Sequence, residues 1–152
     1  INIYIFYMLN VSRYKIIAVG KVKKKWIKSG LELYLKRLPG LRITEIKDST
    51  QKKEALAIKQ ALKKNELLIT LNETGKSFTS KEFASKLQES NNQLITFAIG
   101  GASGLSPEIN ESASWQLSLS PLTFPHELAL LLLVEQLYRA QTISRGGPYH
   151  RE

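Results

Sequence analysis

Leu94-Ile-Thr-Phe-Ala-Ile99, followed directly by Gly100-Gly-Ala-Ser-Gly104, is the stretch whose reading decides the fold. Six residues without polar alternation predict a strand covered on both faces, the pattern of a parallel sheet enclosed by helices. After the glycine loop, Ser106-Pro107-Glu108 supplies an N-cap, a first-turn proline and an acid near the helix dipole. Upstream, Lys15-Ile-Ile-Ala-Val-Gly20 and Leu67-Leu-Ile-Thr-Leu71 repeat the buried-strand pattern. Helical spacing fills the gaps. Ile27, Leu31, Leu35 and Leu38 mark a helix over 25–38, stopped by Pro39-Gly40. Ala55, Ile58, Ala61 and Leu62 mark another over 51–64, and the capping box Thr79-Ser-Lys-Glu82 opens a third over 80–89. Residues 42–47 alternate as an edge strand, 115–119 form a short strand and 125–144 a long last helix. The expectation is one α/β domain with a parallel-rich sheet and helices on both faces.

The chain has 152 residues, enough for one domain with a proper core. It contains no cysteine, which excludes disulfides, a thiolate nucleophile and a zinc knuckle. Its two histidines, His126 and His150, do not make a multi-histidine site, so no metal is expected.

Charge is distributed unevenly. Residues 1–64 carry 16 basic and 4 acidic groups, net +12, whereas residues 65–152 carry 6 and 9, net −3. A basic first half on a near-neutral second half points to a polyanion on one face. Lys21, Lys23, Lys24, Lys25 and Lys28 cluster beside Trp26, which favours a nucleic acid over a mere solubility surface and makes them candidate nucleic-acid contacts. Trp26 has two readings, a base-stacking platform or a core residue of its helix.

The opening Ile1-Asn-Ile-Tyr-Ile-Phe-Tyr-Met8 is too short for a membrane span and lacks the preceding positive charge of a signal peptide. Met8 is the sole methionine and is expected to be the biological start, with residues 1–13 a flexible extension and 14–152 the domain. A cytoplasmic protein is expected. In the last helix, the seven consecutive apolar residues Leu128-Ala-Leu-Leu-Leu-Leu-Val134 predict burial on all sides. Homodimerisation is favoured over enclosure by the chain's own sheet.

Three loops are candidates for a ligand site. Gly75-Lys76-Ser77 looks like the end of a P-loop, but the glycine required five positions earlier is Thr70. Gly100-Gly101 lacks the first glycine of a dinucleotide fingerprint, since position 99 is isoleucine. It does follow the carboxyl end of a buried strand, where open α/β sheets bind ligands. By itself it is equally a tight strand-to-helix turn. Leu119-Ser-Pro-Leu-Thr-Phe-Pro-His126 is stiffened by two prolines and offers backbone groups that can read a base edge.

The order of these blocks carries a resemblance. Leu71-Asn-Glu-Thr-Gly-Lys76, Ile99-Gly-Gly-Ala-Ser-Gly-Leu-Ser-Pro107, Leu119-Ser-Pro-Leu-Thr-Phe-Pro-His126, Glu135-Gln-Leu-Tyr-Arg-Ala140 and Pro148-Tyr-His-Arg-Glu152 resemble the RlmH family of SPOUT-class methyltransferases, from about Lys15 onward. The resemblance implies a deep C-terminal trefoil knot, a homodimer and S-adenosyl-L-methionine as cofactor. It places cofactor contacts on Leu71, Gly101, Ser120, Pro121, Leu122, Thr123, Phe124 and Pro125, with Gly100 and His126 in support. The implied reaction methylates N3 of a pseudouridine in 23S rRNA on assembled ribosomes. N3 is a poor nucleophile until its proton leaves, so Tyr149, His150 and Arg151 are the catalytic candidates, near the pocket of this or a partner subunit. His150 is either a general base or an RNA contact, and Arg139 either a phosphate contact or a helix-end pairing. Gly146-Gly147 is expected to leave the tail loose. The rival classes are a knotted methyltransferase acting on tRNA and an RNA-binding protein without catalysis.

Overall fold

Tyr14–Val19 is buried along its whole length, and this fixes the architecture. A strand with no exposed face needs a layer on each side. A computed structural model describes residues 8–151 of the chain and shows both layers. Strands β1 (Tyr14–Val19), β2 (Arg42–Ile46), β3 (Glu66–Ser77), β4 (Leu94–Ile99) and β5 (Trp115–Ser118) form one sheet in the order β2-β1-β4-β3-β5. Every pairing is parallel. Helices α1 (Lys25–Leu35), α3 (Ser80–Gln88) and α5 (His126–Ser144) cover one face, where Ile16, Ile69 and Phe97 meet Ile27, Phe83 and Leu133. Helices α2 (Gln51–Ala61) and α4 (Pro107–Ser112) cover the other, where Ile17, Val19, Leu68 and Ala98 meet Ala55, Ile58 and Ile109. Among the described residues no helix is long and apolar enough to cross a membrane.

Local chemistry sets the helix starts. Thr50 caps α2, Thr79 and Glu82 form a complete capping box on α3, and Ser106 caps α4 with Pro107 in its first turn. The Lys24 side chain makes no capping bond at α1. The carboxylate of Glu127, from the start of α5, instead accepts the backbone N–H of Lys23 and, at 3.3 Å, that of Lys24.

The structure departs from the sequence reading in four places. β3 does not stop at Leu71. It bulges between Leu71 and Lys76, then pairs again with β5. Asn72 holds the bulge through its bond to Gln116 at 2.8 Å, and Gly75 lies so close to Gln116 that a Cβ would sit 2.7 Å from its carbonyl oxygen. Gly75-Lys76-Ser77 is therefore strand. α1 ends at Leu35, but the chain tightens through Leu38 N–H to Leu35 C=O at 3.1 Å, so Leu38 still reaches the core. The expected boundary at residue 14 also shifts. Leu9 and Val11 are buried, and the Leu9 N–H donates to Ser144 Oγ at 3.2 Å, so residues 9–13 belong to the domain. The remainder of the expected extension, residues 1–7, lies outside the described residues.

The fourth departure is the glycine pair after α5. Gly146 has φ +69°, its N–H donates to Ile143 C=O at 3.1 Å, and the Gly147 N–H donates to Thr142 C=O at 2.8 Å. This is a Schellman cap, which satisfies the orphan carbonyls of the helix and turns the chain sharply back. The pair directs the tail instead of loosening it. In α5 itself Leu130, Leu133, Val134, Leu137 and Ala140 are buried, whereas Leu128 and Leu132 remain partly exposed within one chain.

Candidate active site

Leu71, Gly101 and the segment from Ser120 to Pro125 are far apart in sequence, yet parallel strands bring the ends that carry them to one edge of the sheet. There they line a cavity of about 690 Å³, of the size and position in which α/β folds hold small ligands. Of the residues expected from the sequence, Leu71, Gly101, Ser120, Leu122, Thr123, Phe124 and Pro125 line it, and Pro121 does not. Gly100 and His126 line it as well.

The glycine loop is both a tight turn and a ligand wall. A Cβ on Gly100 would lie 2.6 Å from the Gly104 carbonyl carbon and the Leu105 nitrogen, so only glycine permits this closure. The Gly104 N–H donates to Gly101 C=O at 3.0 Å. In the proline loop the Leu122 N–H donates to Ser120 Oγ at 3.0 Å, and Leu122 is 69% exposed at the open side of the cavity. His126 Nε2 sits 3.4 Å from the Lys21 carbonyl, which accepts, so the ring ties the cavity to the lysine segment.

Lys21, Lys23, Lys24, Lys25 and Lys28 are all exposed on that segment and on the first turns of α1. Trp26 is 59% exposed among them, which removes the core reading for this residue. Cations and an aromatic face stand together in solvent, beside the cavity rather than within it.

The tail makes a separate cluster. Tyr149 packs edge-on against Tyr138 with ring centroids 4.6 Å apart, beneath the Arg139 guanidinium at 4.8 Å. Its hydroxyl donates to Glu135 Oε1 at 3.0 Å and lies 3.3 Å from the Tyr34 hydroxyl. Burial pushes the Tyr149 phenol up, reinforced by the bonds to Tyr34 and Glu135. Arg139 places Nε and Nη2 on Glu135 Oε1 at 3.1 and 2.6 Å, which raises its already high pKa. Its Nη1 lies 3.1 Å from His150 Nδ1. Arg151 is exposed. The structure thus gathers Tyr149, His150 and Arg139, but at the far end of α5 from the cavity. Ala129 lines the cavity, and the ten residues from there to Arg139 span roughly 15 Å of helix.

A family model described as "Predicted SPOUT methyltransferase" matches residues 12–150. The protein of Prochlorococcus marinus (strain NATL2A) named Ribosomal RNA large subunit methyltransferase H is 70% identical over 145 residues, covering 95% of this chain and 100% of that one. The chain belongs to the SPOUT methyltransferase family. A Synechococcus sp. (strain CC9902) protein of the same name is 57% identical over 143 residues, covering 94% of this chain and 99% of its own length. A probable methylase family protein from Haemophilus influenzae Rd KW20 shares the fold, with a TM-score of 0.63 at 12% identity over 93% of this chain and 72% of that one.

As a SPOUT methyltransferase the protein draws its methyl group from S-adenosyl-L-methionine. The cavity suits that cofactor. Leu71, Leu117 and Phe124 offer apolar surface to an adenine and a thioether chain, and the glycine loop allows close backbone approach. One further feature went unread in the sequence. Asn110 lines the cavity, and its Oδ1 is buried with no hydrogen-bond partner among the described residues. An orphaned acceptor at a cavity wall fits a cofactor hydroxyl or amine. No sequence motif marks Asn110, which stands in a six-residue helix and reaches the cavity only because α4 packs against β3.

Proposed function

We propose that this methyltransferase methylates N3 of a pseudouridine in 23S rRNA of the assembled ribosome, working as a cytoplasmic homodimer. The observation that carries the reading is the meeting of three distant loops at one cavity, in a chain matched over nearly its full length by proteins named for large-subunit ribosomal RNA methylation. The bound cofactor supplies an electrophilic methyl carbon. The protein's task is to place the base in line with it, which accounts for a large part of such rate enhancements. Exposed Lys21, Lys23, Lys24, Lys25 and Lys28 grip phosphates and Trp26 stacks, giving affinity without much sequence choice. Such contacts leave specificity to the shape of the ribosome.

Two features support the dimer. Leu128 and Leu132 leave an apolar strip of α5 incompletely covered, and the tail lies too far along α5 to serve its own cavity. A second copy packed antiparallel along α5 brings the tail of one subunit to the cavity of the other. The trefoil knot is part of the same reading. It is supported by β5 at the edge beyond β3 while α5 returns across the sheet to pack on α1 and α3.

Calorimetry and subunit mixing test these points. S-adenosyl-L-methionine binds the wild-type protein, and Gly100→Val abolishes binding. Mixing that variant with a Tyr149→Ala/His150→Ala variant restores activity through hybrid dimers. Absence of cofactor binding favours the RNA-binding protein without catalysis, and failure of mixing to restore activity removes the shared site.

A further inference from the structure

We infer that Arg139 fixes His150 as a hydrogen-bond donor to the substrate base, so that His150 steadies the deprotonated ring instead of removing its proton. The inference rests on the reaction proposed above. Arg139 Nη1 lies 3.1 Å from His150 Nδ1. A guanidinium has five N–H groups and no acceptor, and it keeps its charge at any working pH. The bond therefore has one polarity. Nδ1 contributes the lone pair, and the proton of the neutral ring lies on Nε2.

This leaves the ring no lone pair with which to act as a base. One nitrogen is occupied by Arg139, and the other already carries hydrogen. Arg139 does not swing away to release Nδ1, because Nε and Nη2 are both held on Glu135 Oε1 at 3.1 and 2.6 Å. Glu135 is fixed in turn by the Tyr149 hydroxyl at 3.0 Å, and Tyr149 is clasped between the Tyr138 ring and the Arg139 guanidinium. The Schellman cap at Gly146 and Gly147 sets the direction from which the tail arrives.

Among the described residues no partner faces the Nε2–H, which is therefore the free function. When the N3 proton passes to water, negative charge spreads onto the two ring carbonyl oxygens. The N3 electron pair then forms the bond to the methyl carbon as the carbon–sulfur bond breaks, leaving a neutral thioether. A donor aimed at one of those oxygens favours the deprotonated ring throughout. His150 is then a catalytic residue by donation, and Arg139 a positioning residue that sets its tautomer.

Nitrogen-15 NMR of the full-length protein reads the tautomer directly, with the His150 signals assigned by their loss in His150→Gln. The expected spectrum shows a neutral ring protonated at Nε2. Arg139→Leu gives mixed tautomers, and Arg139→Lys, which keeps a cationic donor, restores one. In single-turnover methylation of ribosomes, His150→Ala loses about 10²–10³-fold, the scale for removing a donor to developing charge. His150→Gln, whose amide N–H reaches a similar position, stays within roughly tenfold of wild type on the same scale. Protonation at Nδ1, an imidazolium at pH 7.5, or a Gln variant as slow as the Ala variant with both losing the acidic limb of the rate profile would overturn the inference. Wild-type protein that methylates no RNA would overturn the underlying functional reading, which the spectrum distinguishes from failure of the tautomer assignment.

Discussion

Glu127 carries the most direct test of how the cavity and the lysine segment are joined. It follows the proline loop immediately, is 6% exposed, and accepts the backbone N–H groups of Lys23 and Lys24 where α1 lacks its own side-chain cap. A hydrogen bond to a charged group is worth about 1.5–3 kcal/mol and an N-cap about 1 kcal/mol, so removing the carboxylate in Glu127→Ala costs roughly 2–3 kcal/mol. At about 2–4 °C per kcal/mol for a domain of this size, Tm falls by roughly 5–10 °C. Glu127→Gln keeps an acceptor oxygen and loses about half as much. The bond from Lys23 is the main cause that holds the Glu127 carboxyl below the usual range. A folded value below the unfolded one gives stability that is complete above the unfolded value and disappears as pH falls through the folded one. The difference between wild type and Glu127→Gln therefore shrinks in acid. Thermal unfolding of the three proteins from pH 7 down to pH 3 measures it. A Glu127→Ala protein as stable as wild type at pH 7 would refute the capping role, and a difference constant with pH would refute the charge contribution.

Four further outcomes follow from named contacts. Gly100→Ala places a methyl 2.6 Å from two backbone atoms of the same turn, so calorimetry should show cofactor affinity falling at least about tenfold while circular dichroism stays native. Asn110→Ala removes the unpaired acceptor, and Kd for the cofactor should rise about 5–15-fold, the worth of roughly one hydrogen bond. Replacing Lys23, Lys24 and Lys25 together with alanine should lower ribosome affinity and reduce its salt slope by about 2–3, with cofactor affinity unchanged. Gly146→Ala meets no atom within 4 Å but forces a side chain to φ +69°, so it should cost about 1 kcal/mol of stability, read as a Tm lower by about 2–4 °C, and slow methylation more than it weakens cofactor binding.

Much of the architecture was legible because the decisive signals are local. The mostly apolar runs at 16–20, 67–71 and 94–99, with no polar alternation, needed two covering layers, and the caps at Thr79 and Ser106 fixed where helices begin. What escaped depends on contacts distant in sequence. The bulge that carries β3 on to Ser77 exists because Asn72 and Gly75 meet Gln116, more than forty residues later. Leu9 and Val11 are core residues only because the far end of α5 receives them. Seen along the sequence, Gly146-Gly147 offered freedom. In three dimensions the left-handed conformation that glycine alone adopts easily becomes a fixed corner. The cavity was readable as three separate loops, through their order and the family they resemble. Pairwise geometry, such as Arg139 on His150 or Asn110 aimed at the cavity, has no signature in spacing.

Transfer of labelled methyl from S-adenosyl-L-methionine to assembled ribosomes, free 23S rRNA and bulk tRNA in parallel tests the central claim most directly. The account predicts label on ribosomes, mapped by mass spectrometry to a pseudouridine methylated at N3. Label on tRNA, or no label on ribosomes from a protein that binds the cofactor, would contradict it.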